Sequence, residues 1–467
     1  MRHLLSRLPI FLVALAGCSS TDSGTLQLVT GPETDVFSAS PQPTTLKVIA
    51  LDSSNSPTTL ATATLPTSSI DLGQQDENAV ATLAVEGTDS SGAQVVYGAS
   101  LPVQYGALAG ATLPIFVQRT NEFARLPSPP NDARRSPTMA IIGERFLVVG
   151  AGSGPSDPLS TQIYDFASLG PLDSPPSLPR VPLSMPVVGT VALLIDGSGA
   201  TYYDFAQGTG ADTTPPDKTY AFGDVAGGQV VYDGIQGDGY DGWVFVVGGT
   251  RTSGSPTAAV LAINTNDSSN ASYPTGNLHW LSLTAPRQGA TATYVSGRGL
   301  VVTGGSATAA GVEILAPMQT TGSALPFPPD ATIGASSSAF GHDASHVLVA
   351  GGLTPTGADA GVRKLDLGCG SNCGVMGTDS WGSLPTPLGD STTFVLPGDT
   401  TALVIGNALP SGATHAFVVD SASSGKPTEL QTKVPHSNAR AMISPTGTVV
   451  LYGGATEIES FTTPQSF

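Results

Sequence analysis

Charge, sulfur and aromatic carbon are all scarce in this sequence. Asp, Glu, Lys and Arg make up 12% of the 467 residues, cysteine and tryptophan occur three times each, and aromatic residues total 6%. Three cysteines exclude a scaffold built from disulfides, which needs several bridges in a short chain. Basic residues are few as well, 18 against 36 acidic ones, for a formal net charge of −18. Such a surface repels nucleic acid and anionic headgroups. Past the N-terminus there is no amphipathic run of a dozen residues, which excludes a helical domain. Glycine (56) and proline (38) are abundant instead, a composition that alone would suit disorder. The 40% hydrophobic content, gathered into short apolar runs, supplies a core and argues for folded β-structure. A chain of this length predicts two or more domains.

One pattern repeats. Its fullest copy is Arg287 to Ile314, RQGATATYVSGRGLVVTGGSATAAGVEI, which reads as strand, tight turn, apolar strand, double glycine, loop and strand. Related pieces are RFLVVGAG from Arg145, GTVALLIDGSG from Gly189, WVFVVGG from Trp243, HVLVAGG from His346, TALVIGN from Thr401 and TVVLYGG from Thr448. The apolar runs centre on Val148, Val191, Phe245, Val301, Leu348, Leu403 and Val450, and intervals of about 43 to 56 residues match a four-stranded propeller blade. The runs are short, β-branched and bounded by glycine, so they predict strands rather than buried helix. Their lack of polar alternation predicts neighbouring sheets on both faces.

The double glycine after an apolar strand, the arginine of Pro286-Arg287, and a Trp followed by Leu and Pro (Trp280, Trp381) resemble kelch-type repeats over residues 117–467. That resemblance implies an all-β, kelch-like β-propeller of seven blades, or six if the second copy, which lacks the double glycine, is not one. It implies no function, because the fold hosts binding proteins and enzymes alike. The last repeat supplies three strands before the chain stops. NEFARLP, near residues 121–127, looks like a blade end that precedes the first repeat, and it is the expected fourth strand. A simple linker is the competing reading.

Upstream, residues 25–116 carry short strand-like segments separated by turn residues, the dimensions of a small immunoglobulin-like β-sandwich. Residues 1–17 have a basic start and a short apolar core, as a signal peptide does. Leu15-Ala16-Gly17-Cys18 resembles a bacterial lipobox, which implies cleavage before Cys18, a lipid on its thiol, and residues 18–24 as a tether. Ser19 after that cysteine implies the outer membrane, periplasmic or surface-exposed.

Local patterns that invite chemistry mostly fail to hold it. Gly150-Ala151-Gly152-Ser153-Gly154 follows an apolar strand, but Pro155 and Pro158 prevent the helix that a dinucleotide loop requires. His342 and His346 lie in a turn, where four-residue spacing aligns nothing. The copper-radical oxidases of kelch-like fold need a tyrosine–cysteine cross-link, and Cys369 and Cys373 stand in a glycine-rich loop where an exported chain would pair them as a disulfide. Asp233, Asp238 and Asp241 alternate with glycine. Such carboxylates suit calcium, yet the spacing does not match an EF-hand loop, and acidic surface loops occur throughout this chain. No catalytic set, metal or cofactor is assigned. The expectation is a lipid-anchored cell-envelope protein whose propeller binds an envelope or extracellular protein or a glycan. A carbohydrate-active enzyme with carboxylates at the propeller mouth is the alternative.

Overall fold

The computed structural model describes residues 24–54, 56–232, 242–249, 254–265, 277–371, 373, 381–421 and 427–465. Residues 1–23, with Cys18, and the aspartates at 233, 238 and 241 lie outside them. Among the described residues, seven antiparallel sheets, each with four main strands, follow one another and form a β-propeller. Blade 1 comprises Thr138–Ile142, Phe146–Gly150, Gln162–Asp165 and Gly170–Pro171. The inner strands of blades 2 to 7 are Val187–Val188, Gln229–Tyr232, Thr291–Val295, Ser336–Ala339, Asp390–Val395 and Arg440–Ile443. The second copy, GTVALLIDGSG, is a full blade, with Val191–Ile195 as its second strand.

The unbroken apolar runs have a simple cause. In blade 3, Val244 and Val246 of Trp243–Val247 pack with Leu193, Tyr202 and Phe222 on the blade 2 side. Phe245 and Val247 pack with Ala292, Tyr294 and Leu300 of blade 4. Side chains still alternate between faces, but each face is another blade's wall, so both sets must be apolar.

The paired glycines mark where backbones cross at van der Waals distance. A Cβ on Gly304 would lie 2.6 Å from the Thr332 carbonyl oxygen of the next blade's lead-in, and one on Gly305 2.7 Å from the Gln288 oxygen of its own. Both have positive φ. Blade 1 departs from the pattern: Ala151 takes the first position with φ 51°, and Gly152 lies against Arg135.

Blade 7 draws on both ends of the chain. Arg440–Ile443, Val449–Tyr452 and Ile458–Phe461 come from the last repeat, and Phe123–Arg125 pairs antiparallel with the last of these, Phe123 opposite Phe461 and Ala124 opposite Ser460. Without that partner Ile458–Phe461 would present an unpaired edge to solvent.

Ahead of the propeller, two sheets enclose a core of Leu26, Leu46, Leu83, Val85, Val96 and Val117. One sheet orders Ser69–Asp71, Thr25–Val29 and Thr112–Phe116; the other runs Pro57–Thr64, Thr45–Leu51, Val80–Thr88, Gln94–Ala99 and Gln118–Arg119. The sequence reading ended this sandwich at residue 116. It extends to Arg119, because Val117 is wholly buried in its core and Gln118 and Arg119 pair with Tyr97 and Val96.

Candidate functional site: the axial end of the ring

Each inner strand starts at the same end of the ring, where a lead-in segment crosses from the previous blade. These lead-ins are hydrogen-bonded to one another around the axis. Ser136 N–H donates to Asn438 O (2.7 Å), Gly334 N–H to Gly289 O (2.9 Å) and Ser391 N–H to Gly334 O (3.2 Å), while Gly289 N–H donates to Gly248 O (2.8 Å), just past the second strand of blade 3.

Side chains complete the belt. Thr138 Oγ1 donates to Pro182 O at 2.8 Å and Ser184 Oγ to Gly228 O at 2.9 Å, joining blades 1 to 2 and 2 to 3. Thr291 Oγ1 donates to Gln229 Oε1 at 2.9 Å and lies 3.0 Å from Ser337 Oγ, joining blades 3, 4 and 5. Ser336 Oγ lies 3.0 Å from Ser391 Oγ of blade 6. Arg440 Nη1 donates to Asp390 Oδ2 at 2.5 Å, joining blades 7 and 6, and Asn407 Nδ2 donates to Asp390 Oδ1 at 2.7 Å. Short polar side chains suit this position because each reaches the next blade within one or two bonds, leaving little rotamer entropy to lose.

Beneath the belt, three cationic or imidazole side chains repeat one arrangement. Arg287 donates to Gly304 O at 2.7 Å and to Glu313 Oε1 at 2.6 and 2.9 Å. His436 Nδ1 lies 2.9 Å from Gly453 O, and its Nε2 lies 3.2 Å from Glu459 Oε1. Arg134 donates to Ala151 O at 3.2 Å and pairs with Asp132 at 2.5 Å. In each blade the donor caps the carbonyl that follows the second strand. Burial of the two guanidinium charges is tolerated because each has an acid beside it. Two buried phenols pin the lead-in to blade 1: Tyr452 Oη donates to Asp132 O (2.6 Å) and Tyr164 Oη to Pro127 O (3.0 Å). Burial, reinforced by the nearby Asp132 and Asp165 charges, pushes both hydroxyls well above the usual phenol range, so they remain donors.

What the belt offers to solvent is narrower. Gln229 is exposed, and the side chains of Asp390 and Arg440 are 33% and 39% exposed. Gln229 Oε1 also accepts from Ala292 N–H (2.9 Å). Among the described residues Gln229 Nε2 and the Nε and Nη2 of Arg440 have no protein acceptor; those of Arg440 stand beside the Asp390 carboxylate, whereas Gln229 opens the inner strand of blade 3 and is held to blade 4.

The sequence-derived candidates fall elsewhere. Cys369 and Cys373 are joined by a disulfide in a loop of blade 5, at the opposite end of the ring. His342 and His346 are not brought together: His342 Nδ1 lies 3.3 Å from Asp399, and His346 Nδ1 lies 2.6 Å from Asp343. Burial would raise the Asp343 carboxyl, but Ser345 N–H, Lys364 and His346 together hold it below the usual range. Among the described residues no group of three or more His, Cys, Asp or Glu could hold a metal. Asp390, Arg440 and Gln229 were missed, and the signal was slight: each opens an inner strand, but in three unrelated local sequences.

A concavity lies between sandwich and propeller, lined by Tyr97, Phe116, Gln118, Leu126, Phe166 and Thr446 among others. Its free interior of about 50 Å³ is room for a few waters, far below the several hundred Å³ of a typical ligand pocket.

No family model matches the chain, and no curated protein is similar to it at a significant level. Among solved structures it is similar to a quinonprotein alcohol dehydrogenase-like protein from Bacteroides thetaiotaomicron, at 11% identity and a TM-score of 0.40 over 91% of this chain and 96% of that one. It is also similar to the extracellular domain of a hybrid two component system from the same organism, at 12% identity and a TM-score of 0.44 over 90% of this chain and 53% of that one. Similarity at this level bears on neither activity nor ligand.

Proposed function

We propose that this chain is a non-catalytic binding protein of the cell envelope that takes an oxygen-rich ligand, a glycan in the first instance, at the axial end of its propeller. The supporting observation is that Arg440 Nε and Nη2, which have no protein acceptor among the described residues, stand beside the Asp390 carboxylate. Sugar hydroxyls both donate and accept, so a carboxylate flanked by free donors suits a vicinal diol. A glycosidase mechanism needs two carboxyl groups facing one space, about 5 to 9.5 Å apart. Among the described residues the starts of the inner strands offer Asp390, while Glu313 and Glu459 are buried in their pairs.

The same proposal places the protein at the outer membrane, with kelch-type repeats and a lipid on Cys18. Cys18→Ala should abolish incorporation of radioactive palmitate and release the protein from the membrane fraction; a wild type that takes up no lipid would refute the anchor. The binding claim is tested on a glycan array followed by calorimetry. Arg440→Ala should weaken any glycan that binds the wild type by about tenfold or more, the effect of losing a charged hydrogen bond. Equal affinity of wild type and variant would exclude the axial site.

A further inference from the structure

The strand that closes the propeller is held by the sandwich as well as by blade 7. Arg125, the last residue of Phe123–Arg125, sits against the sandwich turn that carries Gly31 and Glu33. Glu33, itself 8% exposed, accepts from Arg125 Nε at 2.8 Å through Oε1 and from the Arg125 backbone N–H at 3.2 Å through Oε2. The backbone passes so close that a Cβ on Gly31 would lie 2.4 Å from the Arg125 carbonyl oxygen. One carboxylate therefore holds both the side chain and the main chain of a single closing-strand residue.

The grip continues upstream. Gln118–Arg119, immediately before the closing strand, is paired into the sandwich sheet. The Arg119 guanidinium donates to the carbonyls of Ala39 and Pro41 (3.2 and 3.3 Å) and to Glu122 (3.1 Å). With its amide turned to satisfy both groups, buried Gln118 donates to Ser460 O at 3.2 Å and accepts from Thr462 N–H at 3.1 Å. The C-terminal tail is tied to the same sheet, since Gln465 N–H donates to Gln94 Oε1 at 2.6 Å. Asn121 N–H donates to Thr462 O at 2.7 Å.

We infer that the sandwich is the clasp of the ring: its Gly31–Glu33 turn and its Gln118–Arg119 strand hold the closing strand in place, so loosening the sandwich opens blade 7 before any other blade. The closing strand is three residues long, and three residues of ladder are too little to hold a ring shut against fraying. Sandwich contacts on both sides of it supply the missing restraint. The device couples the N-terminal domain, where an anchor would pull, to the junction between blades 7 and 1.

Hydrogen exchange on the full-length protein tests this. Glu33→Ala and, reciprocally, Arg125→Ala should speed exchange in Ile458–Phe461 and Val449–Tyr452 by about tenfold or more, while Gly299–Thr303 of blade 4 keeps its wild-type protection. Should Glu33→Ala fail to accumulate as folded protein, Glu33→Gln, which keeps an acceptor but not the charge, should give a smaller change in the same strands. Unchanged exchange in blade 7, or equal acceleration of all seven blades, would overturn the inference.

Discussion

Arg287→Ala is expected to lower the unfolding free energy by about 3–5 kcal/mol, seen as a fall in the urea midpoint. Arg287 and Glu313 are both 0% exposed, so truncating the guanidinium leaves a carboxylate stranded in the core. Glu313 would keep Thr284 N–H as a donor (2.6 Å) but lose its countercharge. The Gly304 and Ala310 carbonyls, at 2.7 and 2.5 Å from the guanidinium, would lose theirs too. Arg287→Lys should recover little, because a single ammonium cannot reach three acceptors with the geometry of the planar fork. Removing both charges, as Arg287→Met with Glu313→Leu, should cost less than Arg287→Ala alone, since no unpaired charge remains. A stability within about 0.5 kcal/mol of wild type for Arg287→Ala would mean that the pair is solvated and not buried.

Phe123→Ala is expected to cost a similar amount, about 3–5 kcal/mol, the usual penalty for emptying a buried aromatic site. Phe123 is 1% exposed, and its ring lies 5.4 Å from that of Phe461, with Leu403, Ile405 and Leu451 in the same cluster. The location of the damage matters more than its size. Loss of this side chain weakens the seam between the chain's two ends, so protection should fall first in Ile458–Phe461. A variant that unfolds only the sandwich, leaving blade 7 protected, would show that Phe123 belongs to a linker.

The repeat architecture was legible in the sequence because its cause is local. Apolar runs such as LVVT at Leu300 and glycine pairs such as Gly304-Gly305 are each dictated by what surrounds one strand, and every blade poses the same problem. The closing strand was legible for a related reason: Phe123-Ala124-Arg125-Leu126-Pro127 looks like other blade ends, and the last repeat lacks a strand. Where one blade solves the shared problem with different residues, the pattern breaks. Ala151 adopts positive φ in place of a glycine, and His436 with Glu459 does what Arg287 with Glu313 does. A search for double glycine or for arginine passes over both.

The axial belt and the clasp were not legible, for a different reason. Asp390 meets Arg440 because the ring brings distant segments together, and Glu33 meets Arg125 because the sandwich packs against the closing strand. Nothing in the sequence around Glu33, a turn residue between Pro32 and Thr34, separates it from the other acidic turns of an acidic chain. His342 and His346 show the converse: their spacing would align them on a helix, but the local sequence reads as a turn, and each ring lies beside its own aspartate.

Closure of the ring by its N-terminal strand is the central claim, and disulfide trapping tests it most directly. Ala124 and Ser460 are directly opposed in the antiparallel register, and opposed residues lie about 4.5–5.5 Å apart at Cα, within disulfide range. In Ala124→Cys/Ser460→Cys, mild oxidation followed by peptide mapping should recover one intrachain cross-link joining the two ends of the propeller, from monomeric protein. Free thiols at both positions in folded protein, or a cross-link formed only between two molecules, would contradict the closure.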